Sequence, residues 1–161
     1  MKNIYILLLV LVSNSLAAQN GSLTIHGRVE NENQSIKEVA IEVVKDNELI
    51  KEFGNYKNGS YKVRLELGSI YNVSFYKEGY VIKNIGVIAK TPDSLLVGQF
   101  FFQLDIDLFK IDQPDTSVTV FPDVAKLMLK GAKEGFIYDK QYVRWISNEF
   151  DAKKESQMIN R

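Results

Sequence analysis

From Leu23 onward the dominant hydrophobic period of this chain is two, and that restricts it to strands with one face buried and one face wet. The clearest case is Phe100, Phe102, Leu104, Ile106 and Leu108, with Gln103, Asp105 and Asp107 in the intervening positions. A strand of that length is expected to pair with a sheet throughout and to hold its carboxylates in water. Shorter alternations precede it at Leu23-Ile25-Val29, Val39-Ile41-Val43, Leu49 to Phe53, Tyr61-Val63-Leu65-Leu67 and Tyr71-Val73-Phe75, with Ile85-Val87 less marked. Between them lie Asn31 to Ser35, Asn58-Gly59 and Glu78-Gly79, residue types that tolerate tight turns. Short strands punctuated this way read as a sandwich or barrel rather than a parallel sheet.

The last third changes character. Thr91-Pro92-Asp93-Ser94 and Gln113 to Ser117 read as loops, Val118 to Phe121 as a short extended piece, and Ala125 to Leu129 as a strand. Gly131 to Gly135 reads as a turn. Asp139 is a candidate N-cap for a helix running to about Glu155. Tyr138, Tyr142, Trp145 or Ile146, and Phe150 would form its apolar stripe.

The first eighteen residues stand apart. Lys2 precedes an apolar run from Ile4 to Val12, and small residues follow from Ser13 to Ala18. That order is expected of a cleaved export signal. The run is too short to span a bilayer, which takes roughly 20 residues. No Cys follows Ala17 or Ala18, so a lipid-anchored N-terminus is not expected. The expected division is residues 1–18 as signal peptide, 19–110 as β-sandwich and 111–161 as an extension with a short strand and a helix. The mature protein is expected to be exported, periplasmic or associated with an outer membrane, and not to span the membrane.

Acidic and basic residues balance at 20 each, which leaves no electrostatic footprint for nucleic acid. There is no cysteine, so an exported fold would rest on burial alone, and thiol catalysis and thiolate metal sites are excluded. His26 is the only histidine, too few for an imidazole zinc site. Alternation turns it away from the Leu23-Ile25-Val29 face, as an exposed strand residue. Asp105 and Asp107 share one strand face about 6.5 to 7 Å apart. Paired acids at similar separations serve glycosidases, but a solvated strand face is the commoner reason for such a pair. No catalytic residue, cofactor or metal site is expected.

Several residues resemble the carboxypeptidase regulatory-like domain. Leu23-Thr24-Ile25-His26-Gly27-Arg28-Val29 looks like its opening strand, and Val39-Ala40-Ile41-Glu42-Val43 like its second. Lys57-Asn58-Gly59-Ser60-Tyr61 stands at the family's Gly turn into an aromatic, and Lys77-Glu78-Gly79-Tyr80 matches its later Gly-Tyr. The likeness covers roughly residues 22 to 90. It implies a transthyretin-like, seven-stranded Greek-key sandwich without the peptidase's own chemistry. The segments Phe121 to Lys126 and Phe136 to Tyr142 are similar to the ends of small exported Bacteroidota proteins carrying this module, which implies a Gram-negative envelope. Asn55-Tyr56-Lys57 departs from the family's Thr-Asp-rich turn, so a calcium-like use of that loop is not carried over. The fold's one hydrolase, acting on a urate derivative, needs residues this chain lacks.

The expectation is therefore a non-catalytic envelope adaptor or accessory subunit that recognises a protein of the envelope or outer membrane. Phe101, Phe109, Tyr56 and Tyr76 fall outside the core by parity, and Trp145 lies on the helix. The binding residues expected are Phe101 and Phe109 on the long strand, with Tyr142 and Trp145 on the helix stripe. A carbohydrate-binding module is the alternative, because exposed aromatics also suit glycans. Asp93-Ser94-Leu95 resembles an O-glycosylation site of exported Bacteroidota proteins.

Overall fold

A computed structural model describes residues 21–91, 98–110, 123–146 and 148. The expected signal peptide, the loop around Ser94, the segment Val118 to Phe121 and the helix beyond residue 148 lie outside the described residues. The chain forms β1 (Ser22–Asn31), β2 (Gln34–Ser35), β3 (Ala40–Lys45), β4 (Glu48–Gly54), β5 (Ser60–Glu66), β6 (Ile70–Tyr76) and β7 (Lys83–Ile88). There follow β8 (Gln99–Gln103), β9 (Ile106–Asp107), β10 (Asp123–Gly131) and β11 (Gly135–Tyr138), then a short helix α1 over residues 140–146.

The strands make two mixed sheets, the sandwich rather than the barrel that the alternation left open. In the first, β1 is central. It pairs antiparallel with β5 along residues 22–28 and parallel with β8 along residues 22–26, so these two strands take its opposite edges. The second sheet runs β11-β10-β7-β6-β3-β4, antiparallel except where β10 lies parallel to β7. The core between the sheets contains Leu23, Ile25, Val63 and Leu65 from one side and Ile41, Val73, Phe75, Val87 and Leu127 from the other, all buried. Ala125 and Phe136 join the same core, so the strands after residue 123 are part of the sandwich.

Turn chemistry fixes the registers. Asp46 and Asn47 both adopt positive φ (46° and 73°) between β3 and β4. That is the two-residue hairpin geometry, and Asn and Asp tolerate it best among residues with a Cβ. Gly59, at φ 81°, closes the turn before β5 by donating from its N–H to the Tyr56 carbonyl at 2.9 Å.

The long strand expected over Phe100 to Leu108 is broken into β8 and β9. Up to Leu104 it runs parallel to β1, and the Leu104 N–H donates to His26 O at 2.9 Å. The next ladder bond fails. The Leu104 carbonyl instead turns to the core side, where the buried Tyr61 hydroxyl donates to it at 2.6 Å. The Asp105 carboxylate takes over, accepting from Arg28 N at 2.9 Å. Asp105 is therefore exposed but not idle. Gly27 permits the break, because a Cβ there would fall on the Leu104 carbonyl.

Tyr138 is also placed differently from expectation. It belongs to β11, where the strand pairs Leu127 with Tyr138 and Leu129 with Phe136. Phe136 and Tyr138 then meet Phe100 and Phe102 edge to face, with centroids 5.6 and 5.2 Å apart. These contacts close the sandwich between β8 and β11 and recruit Tyr138 away from the helix stripe.

Candidate functional site

The four residues expected to bind are distributed over three places. Phe101 stands on the outer face of the first sheet, because its neighbours Phe100 and Phe102 face inward and Thr24, its partner on β1, faces out. It is 68% exposed. Phe109 lies just beyond β9, where Lys83 Nζ sits 4.4 Å from its ring centroid. Desolvation lowers the Lys83 pKa, partly opposed by the charge of Asp107.

Tyr142 and Trp145 lie on the outer side of the second sheet, carried by α1. The Asp139 carboxylate caps the helix by accepting from the N–H groups of Gln141 and Tyr142 at 3.0 and 3.1 Å. The Tyr142 hydroxyl donates to Asp123 O at 2.7 Å, and Lys126 Nζ lies 4.2 Å from its ring centroid. Burial and the Asp123 charge raise the Tyr142 pKa. Tyr142 thus anchors the helix to the sheet, aided by the buried Ile146. Trp145 leans on the Tyr142 ring at 5.6 Å and remains 53% exposed. Phe101 and Trp145 consequently face opposite ways on the sandwich.

Around Phe101 the surface is built as an open groove of about 760 Å³. Tyr56, 61% exposed, lines it together with Phe101, while His26, Arg28, Lys62 and Gln103 supply polar side chains. The pattern follows from register. Thr24 sits between Arg64 on β5 and Phe101 on β8, and His26 between Lys62 and Gln103. Long side chains on both flanks leave Thr24 only 6% exposed although it is on the outer face. A trough therefore runs along β1, walled by Phe101 and Gln103 on one side and by Lys62 on the other, and Glu30 and Asp105 also line it.

Parity shows Phe101 and Tyr56 to be outside the core but does not bring them together. That juxtaposition depends on the loop through Asn55. The Asn55 side chain accepts from Val39 N at 3.1 Å and donates to Ile36 O at 2.7 Å and to Gly59 O at 3.3 Å. The signal available in the sequence is the departure at Asn55-Tyr56-Lys57 itself.

A second groove, of about 470 Å³, lies on the outer face of the other sheet, lined by Asn72, Gly86, Asp123 and Lys126 among others. Asn72 Nδ2 donates to Asp123 Oδ1 at 2.6 Å, and Asp123 Oδ2 lies 2.5 Å from where a Cβ of residue 86 would be. Asp123 is thereby locked to the sheet rather than presented. Among the described residues no group of three His, Cys, Asp or Glu is placed to hold a metal ion. Among the same residues no helix is long and apolar enough to cross a membrane.

No family model matches the chain, and no curated protein matches it. Solved structures do resemble it. Catechol 1,2-dioxygenase from Acinetobacter radioresistens is 15% identical with a TM-score of 0.45, covering 68% of this chain and 59% of its own. A DUF3823 family protein from Parabacteroides merdae is 13% identical with a TM-score of 0.40, covering 56% of this chain and 47% of its own. The chain spans about three-fifths of the length of the first dioxygenases it resembles. The protein is a mainly β, two-sheet sandwich with one short C-terminal helix.

Proposed function

We propose that this protein is an exported, non-catalytic member of the carboxypeptidase regulatory-like group, acting in a Gram-negative envelope as an adaptor or accessory subunit. Its docking surface is the outer face of the β5-β1-β8 sheet, centred on Phe101. The observation that carries this reading is that Phe101, at 68% exposure, and Tyr56, at 61%, line one groove that neither the second sheet nor α1 covers. Large aromatics at the centre of a surface patch are the residue types that anchor protein interfaces. The groove's polar groups are strand side chains without a convergent nucleophile, base and oxyanion donor, which favours recognition over hydrolysis. Export rests on the leader-like order of residues 1–18.

The test is recovery of the tagged protein from gently solubilised envelopes, with mass spectrometry of what accompanies it. The expected result is a stoichiometric envelope or outer-membrane protein that is lost when Phe101→Ala is used as bait. Recovery of the wild-type protein alone, with binding on a glycan array, would replace the adaptor reading with carbohydrate recognition.

A further inference from the structure

The two sheets differ in width at one end of the sandwich. Tyr61 of β5 meets Phe75 of β6 edge to face at 4.9 Å, and Glu66 of β5 lies 3.8 Å from Lys45 of β3. β5 therefore ends the first sheet above β6 and β3, while β4, one strand further out, extends past it. Six of the seven β4 residues are exposed, and Phe53, opposite the buried Ile41, rests against the core. At the other end, ring contacts between β8 and β11 close the sandwich.

The free edge of β5 carries backbone groups with no strand to meet them. Val29 N–H donates to Gly59 O at 2.9 Å and Leu67 N–H to Gly21 O at 3.0 Å. In the antiparallel register between those bonds, Tyr61, Val63 and Leu65 direct both backbone groups to β1. Those of Ser60, Lys62, Arg64 and Glu66 point the other way. Ser60 is satisfied by Tyr56 N–H and the Asn58 side chain, and the Glu66 carbonyl by the Tyr71 hydroxyl. The N–H and C=O groups of Lys62 and Arg64 face no strand among the described residues. Such a row is a template for another strand. β4 has a free edge too, but its bulge at Ile50 interrupts the ladder.

We propose that β5 accepts an extended segment of a partner polypeptide as an added antiparallel strand, lying over the inner side of β4. Alternation sets its chemistry, with apolar side chains turned inward toward Phe53 and their neighbours turned outward beside Lys62 and Arg64. On β1 these two cations face His26 and Thr24, and Glu66 is engaged by Lys45, so the outward positions take carboxylates in preference to cations. A second copy is not the occupant. Antiparallel pairing of β5 with itself across the open stretch sets cation against cation. The site uses the backbone edge of β5 and stands independently of the Phe101 groove.

The probe is a short blocked peptide alternating valine with glutamate, titrated into the full mature chain and followed by backbone amide exchange. In the free protein the Lys62 and Arg64 amides should exchange fast and those of Tyr61, Val63 and Leu65 slowly. The peptide should slow the first pair at least about tenfold. N-methylation at its glutamates, whose N–H groups face β5, should weaken binding at least about tenfold, and N-methylation at its valines less than about threefold. Lysine in place of glutamate should weaken binding about fivefold or more at low salt. Lys62→Pro with Arg64→Pro removes two N–H groups that the β1–β5 ladder does not use, and should abolish binding with circular dichroism retained.

Equal effects of the two N-methylation patterns would overturn strand addition, and they are read on the unaltered protein even where the Pro variant fails to fold. A folded Pro variant that still binds, or no binding at peptide concentrations on the order of 1 mM, would overturn it as well. Protected Lys62 and Arg64 amides in a free protein that sediments as a dimer would give the edge to a second copy and also overturn the proposal. Equal binding of the lysine peptide would overturn the chemistry assigned to the outward positions.

Discussion

The Tyr61 hydroxyl donates to the Leu104 carbonyl at 2.6 Å, and this bond joins the middle of the core to the point where the Phe100–Leu108 strand breaks. Tyr61 lies opposite Gly27 on the neighbouring strand, so the carbonyl occupies the space a Cβ of residue 27 would need. One residue without a side chain, one kinked carbonyl and one phenol thus form a unit. The unit makes the outer face discontinuous at Asp105 and shapes the end of the Phe101 groove.

That buried phenol predicts an alkaline limit on stability. Burial foremost, then the Asp105 charge, raises the Tyr61 pKa far above the value near 10 of an unfolded tyrosine. Above pH 10 the unfolded chain therefore releases a proton that the folded chain keeps. Stability from this group is full below pH 10 and declines as pH rises, by about 1.4 kcal/mol per pH unit. Tyr61→Phe should cost roughly 1 to 3 kcal/mol at pH 7, because the Leu104 carbonyl loses its donor. The same variant should shallow the decline above pH 10, though Tyr71, Tyr138 and Tyr142, also shifted upward, keep part of it. Urea unfolding of both proteins between pH 7 and pH 11 measures the two slopes, and equal slopes would refute the assignment.

Gly27→Ala should be among the most damaging single changes. The added methyl cannot coexist with the Leu104 carbonyl, and moving that carbonyl breaks its bond to Tyr61 and displaces Asp105 from Arg28 N. Overpacking with loss of a buried hydrogen bond costs on the order of 3 kcal/mol or more. Gly79→Ala is the informative contrast. Nothing lies within 4 Å of its added Cβ, so only its φ of 79° resists the change, at about 1 kcal/mol. Comparable denaturation midpoints for the two variants would show that the carbonyl yields easily.

Period-two alternation made the two sheets and their core legible, because Leu23, Ile25, Val63, Leu65, Val73 and Phe75 are buried for the reason their spacing implies. Asp139 was legible as a cap for the same local reason. The break after Gln103 was not, since it depends on a carbonyl finding Gly27 and Tyr61 from distant parts of the chain. Tyr138 misled because its spacing to Tyr142 suits a helix, while its pairing with Leu127 and its contact with Phe102 place it in a strand. Parity marks Phe101 as outward but carries no information on which other outward residues share its groove. Tyr56 reaches that groove through a turn held by side-chain hydrogen bonds, which periodicity does not encode.

The turn itself is testable at Asn55. Its side chain accepts one backbone bond and donates two, to the carbonyls of Ile36 and Gly59. Asn55→Ala should lower stability by about 2 kcal/mol, through the part-buried backbone groups left without partners. Asn55→Asp keeps the acceptor but turns an oxygen toward two carbonyls, and should cost at least as much. If Asp is tolerated as well as Asn, the donor bonds contribute little and Tyr56 is positioned by other contacts. Near-ultraviolet circular dichroism with the melting curves would report whether the tyrosine surroundings change.

Phe101 and Trp145 lie on opposite outer faces, so a single partner segment seated along β1 cannot touch both. Because both side chains are exposed, Phe101→Ala and Trp145→Ala should each change stability by no more than about 0.5 kcal/mol. Their effects on partner recovery should differ completely, with Phe101→Ala losing the partner and Trp145→Ala keeping it. Ile146→Ala separates helix packing from docking, since that buried side chain should cost roughly 2 kcal/mol or more while recovery at permissive temperature is preserved. The reverse result, loss with Trp145→Ala alone, would move the docking surface to the helix side, where Tyr142, Lys126 and Asp123 already form a connected polar cluster. The trough along β1 would then have no partner to explain its exposed aromatics, Phe101 and Tyr56.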